Sequence, residues 1–426
     1  MTTTTPSGHS RKSVIIVGGG VIGLCVAYYA MRKGHRVTVI DRATEDHPGC
    51  SHKNAGMVVP SHFIPLAAPG MVLTGIKMLG NRESPFSIRP RCSPRLAKWL
   101  WMFYRSATRQ HVQRASSVLR DLGLESRRSF CELSDGFGHE FGLIQKGLLM
   151  LCKKEKTLHE ESIIAEKALD LGIEAKILSP SETAKTDPQI QMSIAGSVYF
   201  PRDCHLNPSR FLKCLKIALK SGGVTFHWQT NVRKLETRSG AIEKILTDSS
   251  EFQADEYVIA GGVWSPQTIH HLGVPLLLEG GKGYSVTLEE PDSLPSICSI
   301  LTEARVAVTP IDNNLRFAGT MEISGLDDSI NPNRIRGIQK SIPKYFPNYQ
   351  GIDLHKQKIW SGLRPCSPDG LPYIGRTRKH QNLTIATGHA MLGLSLGPIT
   401  GKLTAEILSN ESPSIDLSLL NPDRFH

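Results

Sequence analysis

The chain has 426 residues, of which 40% are hydrophobic and 21% charged, enough for two or three globular domains with ample core. No apolar run reaches the ~18 residues needed to span a bilayer. Nine cysteines, an odd number with no CxxC pair, argue against a disulfide scaffold or a Cys-ligated zinc site and for a reducing cytoplasm. A formal charge of +11 would suit nucleic acid or an anionic membrane surface. No zinc-finger, RNP or basic-zipper pattern accompanies it, so nucleic acid is not expected as a partner.

Residues 1–11 lack the apolar stretch of a secretory signal and are read as a tail. Residues 13–17, SVIIV, have the length and character of a strand. Gly18-Gly19-Gly20-Val21-Ile22-Gly23 follows, then a helical pattern to Lys33, a second strand RVTVI at 36–40, and Asp41. This is one βαβ unit with a dinucleotide-binding turn. Gly18 allows the turn, Gly20 lets backbone approach a pyrophosphate at the start of the helix, and Gly23 lets helix and strand pack closely. Asp41 stands where an acid accepts ribose hydroxyls, with Arg42 beside it. The motif alone does not separate FAD from NAD.

Between Lys77 and Arg114 stand nine basic residues and one acid, Glu83, around the run Trp99-Leu100-Trp101-Met102-Phe103-Tyr104. Basic side chains beside Trp and Tyr suit an anionic membrane interface. Residues 115–175 read as helical. Asp203-Cys204-His205-Leu206-Asn207-Pro208 reads as a turn. Residues 254–262 form an acid-led strand ending in Ala260-Gly261-Gly262, and 276–320 read as strands. Residues 383–389 run from a strand into Gly388-His389, and a helix follows from about Gly397 to Leu408. No HExxH spacing, other metal pattern or GxSxG elbow occurs. No second GxGxxG lies between strand and helix, so electrons must come from a small substrate rather than NAD(P)H.

The separated pieces resemble the amino-acid oxidase group of FAD enzymes, most nearly the D-amino-acid dehydrogenases of the small-subunit type. The resemblance rests on Asn54-Ala55-Gly56, Ala67-Ala68-Pro69-Gly70, Gly281-Lys282-Gly283-Tyr284, Ser361-Gly362-Leu363-Arg364-Pro365, Pro368-Asp369-Gly370 and Thr387-Gly388-His389. It implies an α/β fold: a Rossmann-like FAD domain built from discontinuous segments, 12–75, 192–275 and 356–410. An α+β substrate domain with an antiparallel sheet, 76–191 and 276–355, would complete it, and 411–426 would be a tail. It implies oxidation of a D-amino acid, or of a cyclic imino acid such as hydroxyproline, by hydride transfer to FAD. The electrons would pass to a quinone or another non-oxygen acceptor. The alternative is a glycine or sarcosine type of oxidase that uses oxygen and makes peroxide.

Arg364 matches the family's carboxylate clamp, a role suited to a guanidinium's paired donors. Tyr284 would hydrogen-bond that carboxylate or close the pocket, and His389 would contact flavin or substrate. Asn54, Ala55, Gly56 and Met57 match the loop along the flavin, with Gly56 permitting close approach. Val232 matches the position at the adenine. Ala260, Gly261, Gly388, Leu392, Gly393, Leu394 and Ser395 complete the cofactor set, together with Val21 and Ile22. Cys366 misses the family's linkage position, so the FAD is expected to be noncovalent. Ser61-His62-Phe63-Ile64-Pro65 departs from the alanine-oxidising relatives and leaves the amino acid open. The expected place is the cytoplasm, peripheral on the inner face of the membrane. The oligomeric state stays open.

Overall fold

The computed structural model describes residues 11–47, 49–78 and 83–425, with backbone alone at Thr74 and at 76–78. Residues 1–10 and His426 of the expected tails, and Arg82 of the basic segment, lie outside the described residues. So does the Lys77 side chain.

Ser13–Val17 is apolar on both sides and becomes a central strand. Val14 and Ile16 face a core with the helices Val21–Arg32, Pro208–Ser221 and Gly397–Leu408. Ile15 and Val17 face the opposite way, onto Leu235, Ile242 and Ile245 of a small three-stranded sheet. The period of two thus assigns one strand to two cores. Six strands form this sheet, in the order Tyr373–Arg376, Leu383–Thr387, Glu256–Ile259, Ser13–Val17, Arg36–Ile40, Thr225–His227. All pair in parallel except Tyr373–Arg376, which is antiparallel. Nucleotide sites form at the carboxyl ends of such strands.

The second unit is one large mixed sheet. Its main path is Ile359–Cys366, Glu279–Leu288, Asn314–Ile323, Val306–Ile311, Cys298–Leu301, Leu148–Cys152, Gly196–Phe200, Lys176–Leu178. One face packs Leu149, Leu151, Tyr284, Val286, Val306, Val308 and Phe317 against the helix Pro332–Tyr345. The alternate residues, Met150, Ala307, Ala318, Gly283 and Ser285, line a cavity on the other face.

Two expected boundaries move. Gly196–Phe200 and Ile359–Cys366 fall inside the ranges assigned to the nucleotide domain, yet both hydrogen-bond into the large sheet. Neither strand's pairing partner is encoded in its own pattern. Residues 411–425 are not a loose tail. Arg424 pairs with Asp369 at 2.7 and 3.0 Å and covers the Tyr373 ring at 3.8 Å.

Candidate active site

A cleft of ≈ 360 Å³ opens over the Gly18–Gly23 turn. Gly18 has φ +116°, and a Cβ there would stand 2.5 Å from the Ala260 carbonyl, so the turn and its neighbour strand need glycine. A Cβ at Gly23 would come within 1.8 Å of the Gly18 carbonyl, which places the helix directly on the turn. Gly20 is different. A Cβ there meets nothing nearer than Ser51 Oγ at 3.6 Å and would project toward the cleft that Gly20 lines. This is a cradle left open for a ligand.

Asp41 is held at the cleft by the amides of Gly19 (2.6 Å) and Ala43 (2.8 Å), one to each carboxylate oxygen. Each oxygen keeps a lone pair for a hydroxyl. Arg42 stacks on Trp264 at 4.2 Å. Two buried donors or acceptors in the cleft wall, Trp228 Nε1 and His389 Nδ1, have no hydrogen-bond partner among the described residues. Buried polar atoms are normally satisfied, so both fit a bound polar ligand. His389 is tied through Nε2 to Thr400 Oγ1 at 2.9 Å. Burial pushes its pKa down to about 3, so it is a neutral imidazole.

A second cavity, ≈ 590 Å³, runs along the large sheet. It touches six adjacent strands, from Ile359–Cys366 to Leu148–Cys152, roughly 24 Å at ~4.8 Å per strand. Arg364, Asn54 and Cys50 line both this cavity and the nucleotide cleft. Arg364 is therefore at the junction. Its Nη1 donates to the Thr320 carbonyl at 2.7 Å. Its guanidinium lies over Gly283, where a Cβ would come within 2.1 Å of it. Among the described residues it has no carboxylate partner, and burial lowers its pKa. A desolvated cation with one carbonyl for company has the capacity to hold an anion.

Of the expected residues, Gly18, Gly20, Val21, Ile22, Asp41, Arg42, Asn54, Val232, Ala260, Gly261, His389, Gly393 and Leu394 line the nucleotide cleft. Ala55, Met57, Leu392 and Ser395 line the second cavity instead. Gly56 and Gly388 line neither. Gly56 (φ +83°) makes its close approach to the Leu206 carbonyl, and Gly388 (φ +82°) to the Tyr373 ring. Tyr284 requires correction. Tyr284 borders the cavity, but its ring packs in the opposite core and its hydroxyl donates to Glu322 Oε2 at 3.1 Å. It offers no hydrogen bond to a bound carboxylate.

Sequence reasoning did not assign a role to His62, Glu161, Thr302 or Arg305, all in the cavity wall. Burial raises Glu161 to about 7, opposed by Arg305. His62 lay inside the departing Ser61–Pro65 segment, a signal of difference without a role. The other three come from separate elements and carry no local motif. Among the described residues no group of three or more His, Cys, Asp or Glu could hold a metal.

Comparison with known proteins agrees with this geometry. The family model described as FAD dependent oxidoreductase (DAO) matches residues 13–407. The D-amino acid dehydrogenase of Bradyrhizobium diazoefficiens is 31% identical over 97% of this chain and 98% of its own length. That of Vibrio atlanticus is 32% identical over 97% and 99%. Among solved structures, glycine oxidase from Geobacillus kaustophilus superposes with a TM-score of 0.78 at 23% identity, over 98% of this chain and all of that one, a likeness of fold. The chain belongs to the FAD dependent oxidoreductase family, in the group of the D-amino acid dehydrogenases, and FAD is its cofactor.

Proposed function

We propose that the chain oxidises the α-amine of a D-amino acid or cyclic imino acid, passing electrons from FAD to a quinone or another non-oxygen acceptor. The observation that carries this reading is Arg364, a half-buried cation with no carboxylate partner among the described residues, at the junction of the two cavities. A substrate carboxylate would supply the missing charge through two parallel hydrogen bonds. That grip would fix the α-carbon beside the cofactor cleft, and the flat Gly283 surface would keep the guanidinium in plane. Bound FAD supplies the hydride acceptor. The imino acid product would hydrolyse to a keto acid and ammonia. Cys366 is buried, lines neither cavity, and its thiol is pushed up to about 12, which supports noncovalent FAD.

The test is an anaerobic screen of the oxidised protein against D-, L- and cyclic amino acids. Bleaching by D- or cyclic amino acids, with quinone reduced and no peroxide formed in air, is the expected result. Peroxide would favour an oxygen-using oxidase. No bleaching by any amino acid would sink the reading.

No helix among the described residues is long and apolar enough to cross a membrane. A peripheral contact is proposed through the helix Pro94–Ser106. Its Trp101 and Tyr104 are 57% and 62% exposed, and Tyr104 borders the substrate cavity. The basic residues divide. Arg89 pairs with Asp327, Arg91 with Glu279, and Arg95 donates to the Leu278 carbonyl at 3.0 Å. Lys98, Arg105, Arg109 and Arg114 are exposed. We therefore expect Lys98→Glu with Arg105→Glu to weaken flotation with anionic vesicles by about 1 kcal/mol per charge, in low salt only. Equal flotation of variant and wild type would remove this surface from the account.

A further inference from the structure

Ser61, His62 and Asp203 form a hydrogen-bonded row that the reading above does not use. The Ser61 hydroxyl donates to Asp203 Oδ2 at 2.5 Å, and the Ser61 amide to Oδ1 at 3.2 Å. His62 Nδ1 lies 3.0 Å from the same Ser61 Oγ. His62 is half-buried in the wall of the substrate cavity, whereas Asp203 is 0% exposed. The row leads from the cavity into the interior.

Counting hydrogens fixes its polarity. Ser61 has one hydroxyl hydrogen, and an ionised Asp203 takes it. Oγ can then only accept from His62, so Nδ1 carries the imidazole hydrogen and Nε2 is a bare base. The one side-chain hydrogen bond His62 makes among the described residues uses Nδ1, which leaves the Nε2 edge for the cavity.

We propose that His62 Nε2 takes a proton from the ammonium group of the substrate and that Ser61 passes it on to Asp203. The proposal rests on the amino-acid reading and adds the base that reading lacks. One ammonium N–H bond breaks and an Nε2–H bond forms. The Nδ1 hydrogen moves to Ser61 Oγ, and the Ser61 hydrogen moves to Asp203 Oδ2. The amine is left neutral, with the lone pair that loss of hydride from the α-carbon requires, and the product leaves as an iminium. The proton held at Asp203 and the transferred hydride together make up the two electrons and two protons that a quinone acceptor takes.

Burial suits each member to its part. It holds the imidazole near 4, so His62 conducts the proton rather than keeping it. It raises the Asp203 carboxyl to about 7, against the Ser61 bonds and Arg127, so the proton can rest there. The titratable groups facing Asp203 are Arg127 on the helix Arg109–Gly136, Cys204, and Cys298 of the large sheet, both thiols being pushed up. His62 shares its cavity with Cys50, Lys53, Tyr104, Glu161, Arg305 and Arg364.

The test is anaerobic flavin reduction as a function of pH in wild type, His62→Asn and Asp203→Asn, each checked for flavin content. Both variants should be slowed about 100-fold or more near neutral pH. Their rates should rise about tenfold per pH unit toward the amine's own pKa, because only amine already neutral in solution reacts. Added imidazole should restore part of the rate to His62→Gly. Variants with the wild-type rate and pH profile would overturn the relay. A readout independent of turnover is nitrogen NMR of holoenzyme labelled with ¹⁵N-histidine. At a pH where Asp203 is ionised, above about 7, a hydrogen on Nδ1 and a bare Nε2 support the relay, and a hydrogen on Nε2 overturns it. If no amino acid reduces the wild-type flavin, the amino-acid reading falls, and the NMR result decides the hydrogen-bonded row separately.

Discussion

Arg364→Ala is expected to bind FAD normally and to lose about 3 kcal/mol of substrate stabilisation, a factor of ~100 in kcat/KM. The side chain makes one protein hydrogen bond, to Thr320, and no ion pair among the described residues. Its removal therefore strands no buried carboxylate, and the fold should hold. Gly283→Ala provides an independent approach to the same point. Its new methyl group would meet the guanidinium at 2.1 Å and drive it from its seat, with Arg364 itself intact. Both variants should keep their yellow colour and fail in the same way. Unchanged steady-state kinetics in both would place the carboxylate elsewhere.

The other large effect is expected at Gly20. A valine there would extend into the cleft, since the nearest atom to the Cβ is Ser51 Oγ at 3.6 Å. Gly20→Val should fold and purify without colour, with FAD affinity lowered by ~100-fold or more. Gly23→Val is the contrasting case. Its Cβ would overlap the Gly18 carbonyl at 1.8 Å, so the helix could not dock and the protein should be unstable with or without FAD. Spectroscopic flavin content and thermal unfolding separate the two. A yellow Gly20→Val protein with full FAD content would remove the nucleotide assignment. Wild-type flavin should be released by acid denaturation, and flavin that stays with the precipitate would contradict the noncovalent reading.

The nucleotide unit was legible because its determinants are local. A strand, a glycine turn, a helix and a terminal acid lie within about thirty residues, and each element's period appears in its own sequence. Arg364 was singled out through the resemblance around it. The second cavity was not, because long-range pairing builds it. His62, Glu161, Thr302 and Arg305 meet only once Leu148–Cys152 pairs with Cys298–Leu301 and with Gly196–Phe200. Ser61 and Asp203 are likewise brought together only by the fold. Tyr284 shows the same limit at the scale of one residue. A strand's period tells which residues share a face, but not which face meets the helix Pro332–Tyr345 and which the cavity. Gly56 was read as a site of close approach and Gly388 as part of the cofactor set, yet the groups both approach are protein atoms.

The central claim is that a half-buried guanidinium holds the substrate by its carboxylate beside the cofactor. The measurement that tests it most directly is anaerobic flavin reduction by the best amino acid from the screen and by its carboxamide, which keeps the amine and the α-hydrogen. Compared at equal total concentrations and at a pH above both amine pKa values, the amino acid should bleach wild-type flavin ~100-fold faster than the amide, and Arg364→Ala should erase that difference. Equal bleaching of the wild type by acid and amide would contradict the account.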